Sequence, residues 1–128
     1  APVVKAWEEG KSIHEAWGDE NISTVLNGIA VPDPGASPMI LDALAESGGG
    51  AVATSDQEIL DAAVEVAQTE GLEMGATCAA AASGAFELAE EGELGEDDTV
   101  VLLNTGAGNK DIDTLRSHLG EREFEAGE

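Results

Sequence analysis

The residues best suited to chemistry lie in a glycine-rich turn at positions 104–111, Asn-Thr-Gly-Ala-Gly-Asn-Lys-Asp. The turn follows an aliphatic run, residues 99–104, whose composition predicts a buried β-strand. Ligands of open α/β sheets bind beyond the carboxyl ends of the strands, where Gly106 and Gly108 would let the backbone approach a ligand and Thr105 would offer a hydroxyl. Glycines are equally typical of a tight connection without a ligand. The pattern therefore leaves a ligand site and a structural turn open, and the turn does not match the phosphate-binding P-loop.

Lysine side chains are the next candidates, because an amine with a lowered pKa can act as a nucleophile. Lys5, Lys11 and Lys110 all lie in acidic sequence contexts. Neighbouring carboxylates raise the pKa of an amine. We therefore expect none of the three lysines to be catalytic.

The remaining reactive side chains are predicted to be structural. His14 and His118 have no ligands at metal-binding spacing, so we expect surface positions for both and no metal site. Cys78 falls within an alanine-rich stretch and is predicted to be a small buried residue of a helix. Ser47 and Ser83 lack the Gly-x-Ser-x-Gly setting of a hydrolase nucleophile.

Two helices in the second half of the chain carry the clearest local signals. Ser55 and Glu58 match a capping box, and Gly71 follows the apolar face at the position of a left-handed C-terminal residue. A second, alanine-rich helix is predicted from about residue 75 to residue 91, closed by Gly92.

The other predicted elements are short. Their order after residue 50, a strand, two helices, a strand and a helix, favours an α/β fold with parallel strands. Two or three short strands do not complete a doubly wound sheet, so the sheet is expected to be partial. We predict helices at 2–9, 39–47 and 112–119, strands at 51–54 and 99–104, and a loop-rich segment at 11–38.

The charge balance excludes some partners. The chain has 27 acidic and five basic residues, a net charge of −22 and a pI near 4.1. The scattered cations cannot follow a phosphate backbone, so a nucleic acid is not expected as a partner, and an anionic membrane would repel the chain. Carboxylates spread along the whole sequence are typical of proteins from organisms that accumulate salt, where ions screen the repulsion.

Cysteine content and hydropathy bear on the compartment. One cysteine allows no internal disulfide, and no secretory signal or membrane span is apparent in these 128 residues. A cytoplasmic location is therefore the expectation.

Several segments, in the same order, resemble threonine synthases, which are pyridoxal-phosphate enzymes of the tryptophan synthase β-like fold. Residues 105–111 are similar to the family's Thr-Gly-His-Gly-Leu-Lys-Asp. Residues 46–49 and 52–58 resemble Glu-Ser-Gly-Gly and Val-x-Val-Ser-Asp-x-Glu, and residues 28–34 resemble Gly-Ile-x-Ile-Gly-Asn-Pro. Residues 2–10 and 70–76 match two further family segments more loosely. The resemblance covers nearly the whole chain.

This resemblance implies a fold and a site. The fold would be α/β, a partial three-layer open parallel sheet of the fold type II pyridoxal-phosphate enzymes. Residues 1–120 would form the C-terminal portion of such an enzyme and residues 121–128 an acidic tail. Thr105 would contact the pyridine nitrogen of the cofactor, with Gly106 and Gly108 beside the ring. Ala107 replaces the family's usual His.

The implied reaction converts O-phosphohomoserine, a small-molecule substrate, to threonine. The family's Schiff-base lysine and phosphate-binding loop lie upstream of the segments matched here, so no catalytic residue is assigned and the chain is not expected to act alone. An N-terminal half or a homo-oligomer is an expected partner. Two alternatives stay open: a related threonine dehydratase or cysteate synthase, and a non-catalytic module that binds a partner or a metabolite.

Overall fold

The computed structural model describes residues 1–120. The predicted acidic tail, residues 121–128, lies outside the described residues. The chain divides into two compact units, Ala1–Ala53 and a second that begins at Thr54. The α-helices are α1 (Pro2–Glu8), α2 (Ser37–Ser47), α3 (Asp56–Glu70), α4 (Ala80–Glu90) and α5 (Ile112–Gly120), and short 3-10 turns occur at Asp19–Asn21, Asn27–Ile29 and Gly108–Lys110.

The first unit is built on the contact between α1 and α2. Its buried apolar residues are Ala6, Leu26 and Leu41. Helix α2 begins two residues before the predicted start, because Pro38 lies in the first turn, where its missing N–H interrupts no hydrogen bond. Between the helices, residues 11–36 are mainly irregular, as predicted, and the last two residues of the predicted loop segment belong to α2.

The second unit is centred on α3 packed against α4. Helix α3 buries Ile59, Leu60 and Ala63, and α4 buries Ala82. Small side chains on α4 allow its backbone to approach the larger aliphatic side chains of α3 closely. The alanines of α4 thus contribute to the packing of the two helices.

The predicted ends of α3 are confirmed. The Ser55 hydroxyl accepts a hydrogen bond from the backbone N–H of Glu58, and the Glu58 carboxylate accepts one from the N–H of Ser55. Gly71 ends the helix with φ of +66°, in the left-handed region that favours glycine. Both signals are local, which explains why sequence was sufficient to find them.

The predicted start of α4 was wrong by five residues. We expected the helix from about residue 75, but it begins at Ala80. The N–H of Gly75 bonds to the carbonyl of Gly106, and the N–H of Ala76 bonds to the carboxylate of Asp111. These contacts hold the segment before Ala80 against a distant turn, so a tertiary interaction overrides helix propensity there.

The two predicted strands are not formed. Residues 51–54 and 99–104 have no regular secondary structure, and no described residue lies in a β-strand. Val101 and Leu103, expected to be buried on both faces, are 79% and 72% exposed. A strand completes its hydrogen bonds only with a neighbouring strand, and the described residues offer none. The parallel sheet expected from the sequence is therefore absent from this part of the chain.

Within the described residues, no helix is long and apolar enough to span a membrane.

Candidate functional site

The glycine turn, residues 104–111, lies against residues 73–78, the segment that leads into α4. Three hydrogen bonds with nitrogen donors join the two segments, two from backbone N–H groups and one from a side-chain amide. Because the bonds are spread over both segments, the turn is held at several points. They run from Gly75 N to Gly106 O (2.8 Å), from Ala76 N to Asp111 Oδ2 (2.9 Å) and from Asn104 Nδ2 to Glu73 O (3.2 Å).

Glycine is required where the two segments meet. A Cβ atom added to Gly108 would lie 2.8 Å from Cγ of Glu73 and 2.9 Å from the carbonyl oxygen of Met74. A Cβ added to Gly75 would lie 2.9 Å from the carbonyl oxygen of Gly106. Atoms cannot pack this closely without displacement. Gly108 is accordingly buried, and its missing side chain allows the turn to pack on the chain itself.

Thr105 lies at the exposed side of this turn. Its Oγ1 is 3.3 Å from the Sγ of Cys78, which lies just before α4. The side chain of Lys110 folds back over Gly106, where an added Cβ would lie 2.7 Å from the lysine Nζ. The hydroxyl of Thr105, the thiol of Cys78 and the ammonium group of Lys110 therefore all lie at this turn.

The prediction for Cys78 was wrong in two respects. It precedes α4 instead of lying inside it, and its side chain is only partly buried. The reason is the delayed start of α4, which turns Cys78 towards Thr105. Sequence alone offered no signal for this contact, since the two residues are 27 positions apart.

His118 connects α5 to α3. Its Nε2 lies 3.0 Å from the Oδ1 of Asp61, and Asp61 Oδ2 accepts a hydrogen bond from Gln57. The His118 side chain is only 5% exposed. The expected surface position was therefore wrong, because α5 packs with this face inward. Since α5 directly follows Asp111, the contact also anchors one end of the glycine turn.

His14 is the second histidine for which the expected surface position was wrong. Its side chain is 6% exposed and lies between the Ser37 hydroxyl and the carboxylate of Asp33, 3.0 Å from His14 Nε2. The residue types match a Ser-His-Asp triad. Ser37, however, is completely buried and Asp33 is largely exposed, so no substrate can reach the hydroxyl. This cluster holds the start of α2 and is not a hydrolase site.

Lys11 lies among carboxylates, as its sequence context predicted. Hydrogen bonds to the carboxylates of Glu15 and then Glu9 raise the pKa of Lys11 to about 12. Such an amine remains protonated at neutral pH. Lys11 is therefore unsuited to nucleophilic catalysis.

Acidic side chains also line a cavity of about 410 Å³ between α3 and α4. Within the part of the chain that the structure describes, no group of three or more His, Cys, Asp or Glu residues has a geometry suited to a metal ion. The six carboxylates of the cavity are Glu58, Asp61, Glu65, Glu87, Glu90 and Glu91.

Asp111 is a positioning group that was not predicted from the sequence. Its carboxylate precedes α5, a location where acidic residues are common as helix caps. That local signal would have suggested a cap for α5, whereas the carboxylate bonds to Ala76, 35 positions away.

Comparison with known proteins places the sequence of this chain in a family. Residues 1–106 match the family model described as pyridoxal-phosphate dependent enzyme. The chain is 36% identical over 114 residues to the threonine synthase of Methanosarcina acetivorans, covering 89% of this chain and 28% of that protein. It is 34% identical over 112 residues to the threonine synthase of Methanocaldococcus jannaschii, covering 88% and 27%.

A cysteate synthase of Methanosarcina acetivorans is also similar, with 31% identity over 118 residues, 85% of this chain and 28% of that protein. The chain thus spans little more than a quarter of the length of these relatives. Pyridoxal phosphate is the cofactor that the family implies, and the family fold is α/β. The family model covers most of the chain, and the chain belongs to the pyridoxal-phosphate-dependent enzymes.

Proposed function

We propose that this chain forms one wall of the cofactor site in a threonine synthase, an enzyme that converts O-phosphohomoserine to threonine. The observation that carries the proposal is the exposed Thr105 hydroxyl on a turn that is hydrogen-bonded to residues 73–78. The similarity to two archaeal threonine synthases supports the choice of reaction. The similar cysteate synthase makes that reaction the second candidate.

The residues of the turn suit a pyridoxal-phosphate ring. Thr105 offers a neutral hydroxyl that can donate a hydrogen bond to the pyridine nitrogen without protonating it. Gly106 would face the ring, since the atoms nearest its Cβ position belong to side chains, the flexible end of Lys110 and the sulfur of Cys78, and not to the backbone. Gly108 would act through the packing of the turn. When bound, the cofactor supplies the electron sink of the reaction, and this chain's residues orient it.

This chain is not proposed to supply the lysine that binds the cofactor covalently. The pKa of Lys11 is raised, and Lys110 folds back over Gly106. In our proposal, the chain acts with further sequence corresponding to the part of the relatives that it does not match. Alone, it would be inactive.

The first test uses the chain as it is, mixed with pyridoxal phosphate in molar KCl. We expect no borohydride-trappable visible absorbance and no turnover of O-phosphohomoserine. Turnover accompanied by trappable absorbance would show that one of the described lysines is catalytic and would overturn the proposed division of roles.

The second test adds the unmatched part of the Methanosarcina acetivorans threonine synthase, joined to this chain in one polypeptide. We expect threonine formation from O-phosphohomoserine. Thr105→Val, which removes the hydroxyl and keeps the shape, should lower the turnover on the order of a hundredfold, while Thr105→Ser should retain most of it. Cysteate formation without threonine formation would favour the second candidate. Cofactor-independent binding of a metabolite by the chain would favour a non-catalytic module.

A further inference from the structure

The side chain of Cys78 meets Thr105 across the two segments of the candidate site. Their Sγ and Oγ1 atoms are 3.3 Å apart. No other hydrogen bond of the Thr105 hydroxyl is found among the described residues. The thiol is thus the neighbour that determines how this hydroxyl is oriented.

The backbone fixes the distance between the thiol and the hydroxyl. Gly75 N–H bonds to Gly106 O at 2.8 Å, three residues before Cys78 and one after Thr105. A Cβ on Gly106 would lie 3.3 Å from the Cys78 sulfur. Because a backbone hydrogen bond holds the two segments together close to this contact, the thiol and the hydroxyl lose less conformational entropy on meeting than two side chains on unconnected segments would.

The chemistry of the two groups favours one direction for the hydrogen bond. A hydroxyl has one strong donor and two acceptor lone pairs, whereas a thiol is both a weak donor and a weak acceptor. If the thiol donates, its weak S–H is matched with an oxygen lone pair, and the stronger O–H remains for another acceptor. If the hydroxyl donates to sulfur, its only hydrogen is taken.

We propose that Cys78 is a positioning residue for Thr105, donating its S–H to Thr105 Oγ1 and leaving the hydroxyl hydrogen for an acceptor nitrogen of the ligand. The ligand part of this inference rests on the proposed cofactor site. The direction of the bond does not, and it is tested without any cofactor.

The first experiment measures the side-chain rotamer of Thr105 by NMR in molar KCl, from the three-bond couplings of its methyl carbon. We expect one dominant rotamer in the unmodified chain and in Cys78→Ser, which retains a donor. In Cys78→Ala the ratio of the dominant rotamer to the others should fall about fivefold, as for the loss of one ordinary hydrogen bond. An unchanged ratio in Cys78→Ala, or no rescue by Cys78→Ser, overturns the proposal.

Thr69 is the internal control for these spectra. Its hydroxyl donates to the carbonyl of Glu65 within α3, 2.9 Å away. Its rotamer should be the same in all three proteins. A change at Thr69 together with Thr105 would reveal a general loss of structure and would count against a local positioning role.

The second experiment leaves Cys78 intact, so it holds even if Cys78→Ala does not fold. The rate of reaction of the thiol with the neutral reagent 4,4′-dithiodipyridine is compared in Thr105→Val and Thr105→Ser. Loss of the oxygen that stabilises the neutral thiol should accelerate the reaction about fivefold in Thr105→Val and leave Thr105→Ser within about twofold. A slower reaction in Thr105→Val would mean that the hydroxyl donates to sulfur, which overturns the proposal.

Discussion

At the scale of single residues, the site depends on glycines that lack a side chain as much as on the side chains that it contains. Gly108 is buried against Glu73 and Met74 and has no space for a Cβ. The sequence predicted a glycine-rich turn and left open whether it binds a ligand or is purely structural. It could not distinguish a glycine that faces a ligand from one that packs against the chain, because both environments require a residue without a side chain.

Gly108→Ala should therefore destabilise the second unit. The added Cβ would meet the Met74 carbonyl oxygen at 2.9 Å, a backbone atom that cannot rotate away. We expect a loss of about 1–3 kcal/mol in the free energy of unfolding, typical of overpacking, measured by urea titration in KCl. Gly120→Ala is the matched control, because nothing lies within 4 Å of its Cβ position at the end of α5. Equal effects of the two substitutions would contradict the packing role.

At the scale of elements, α5 and α3 act as the support of the glycine turn. Helix α5 continues directly from the turn, and His118 attaches it to Asp61 of α3. The sequence predicted α5 almost to the residue, but it did not predict which face would be buried. A nine-residue helix carries too few apolar residues for its periodicity to decide its orientation.

His118→Ala should loosen both α5 and the turn. It removes a buried side chain and its hydrogen bond to Asp61, a change worth about 1–3 kcal/mol. Amide hydrogen exchange at Gly75 and Asp111, whose N–H groups donate to the carbonyls of Gly106 and Gly108, should become faster as α5 frays. Arg116→Ala on the same helix is the control, because its ion pair with Asp113 is exposed and should contribute less than about 0.5 kcal/mol. Unchanged exchange rates in His118→Ala would contradict the proposed role of α5 in supporting the turn.

The capping box of α3 should make stability depend on pH. Hydrogen bonds from the hydroxyl and then the N–H of Ser55 lower the pKa of Glu58 from its usual 4.5. Because the folded-state pKa is lower than the unfolded one, the stabilisation is complete above about pH 4.5 and is lost as the pH falls through the lowered pKa. The difference in unfolding free energy between the unmodified chain and Glu58→Gln should follow this curve.

Ser55→Ala supplies the control for this titration. Without the serine hydroxyl, the pH dependence of the Glu58→Gln effect should be much smaller, and the substitution itself should cost about 1 kcal/mol as a lost N-cap. A pH dependence that is unaltered in the Ser55→Ala background would assign it to another group.

At the scale of the whole molecule, charge is the dominant property. A net charge of −22 on 128 residues repels itself strongly unless ions screen it. The described cations are few, and they form exposed pairs such as Lys11 with Glu9 and Glu15. Exposed pairs of this kind contribute little to stability, so we expect dissolved salt ions to provide the screening that this charge requires.

Dilution from molar to 0.1 M KCl should therefore destabilise the chain. The screening length rises from about 3 Å to about 10 Å over this range. We expect the melting temperature, followed by circular dichroism, to fall on the order of 10 °C, which corresponds to about 2 kcal/mol. Tetramethylammonium chloride at equal ionic strength should protect equally if screening is the cause. A melting temperature that does not change with the salt concentration would contradict the halophilic interpretation.

The sequence by itself determined the features that depend on neighbouring residues and on family membership. The capping box at Ser55, the left-handed Gly71 and the extent of α5 all follow from interactions within a few positions of the chain. The resemblance to threonine synthases rested on short segments in a fixed order, and the family match supports it.

Only the tertiary structure decided where distant segments meet. It placed Cys78 against Thr105, bonded Asp111 to Ala76, and delayed the start of α4. It also left residues 99–104 without a partner strand among residues 1–120. The physical reason is common to these cases: a helix satisfies its backbone hydrogen bonds within four residues, whereas strands and packed loops satisfy theirs with groups that sequence spacing does not identify.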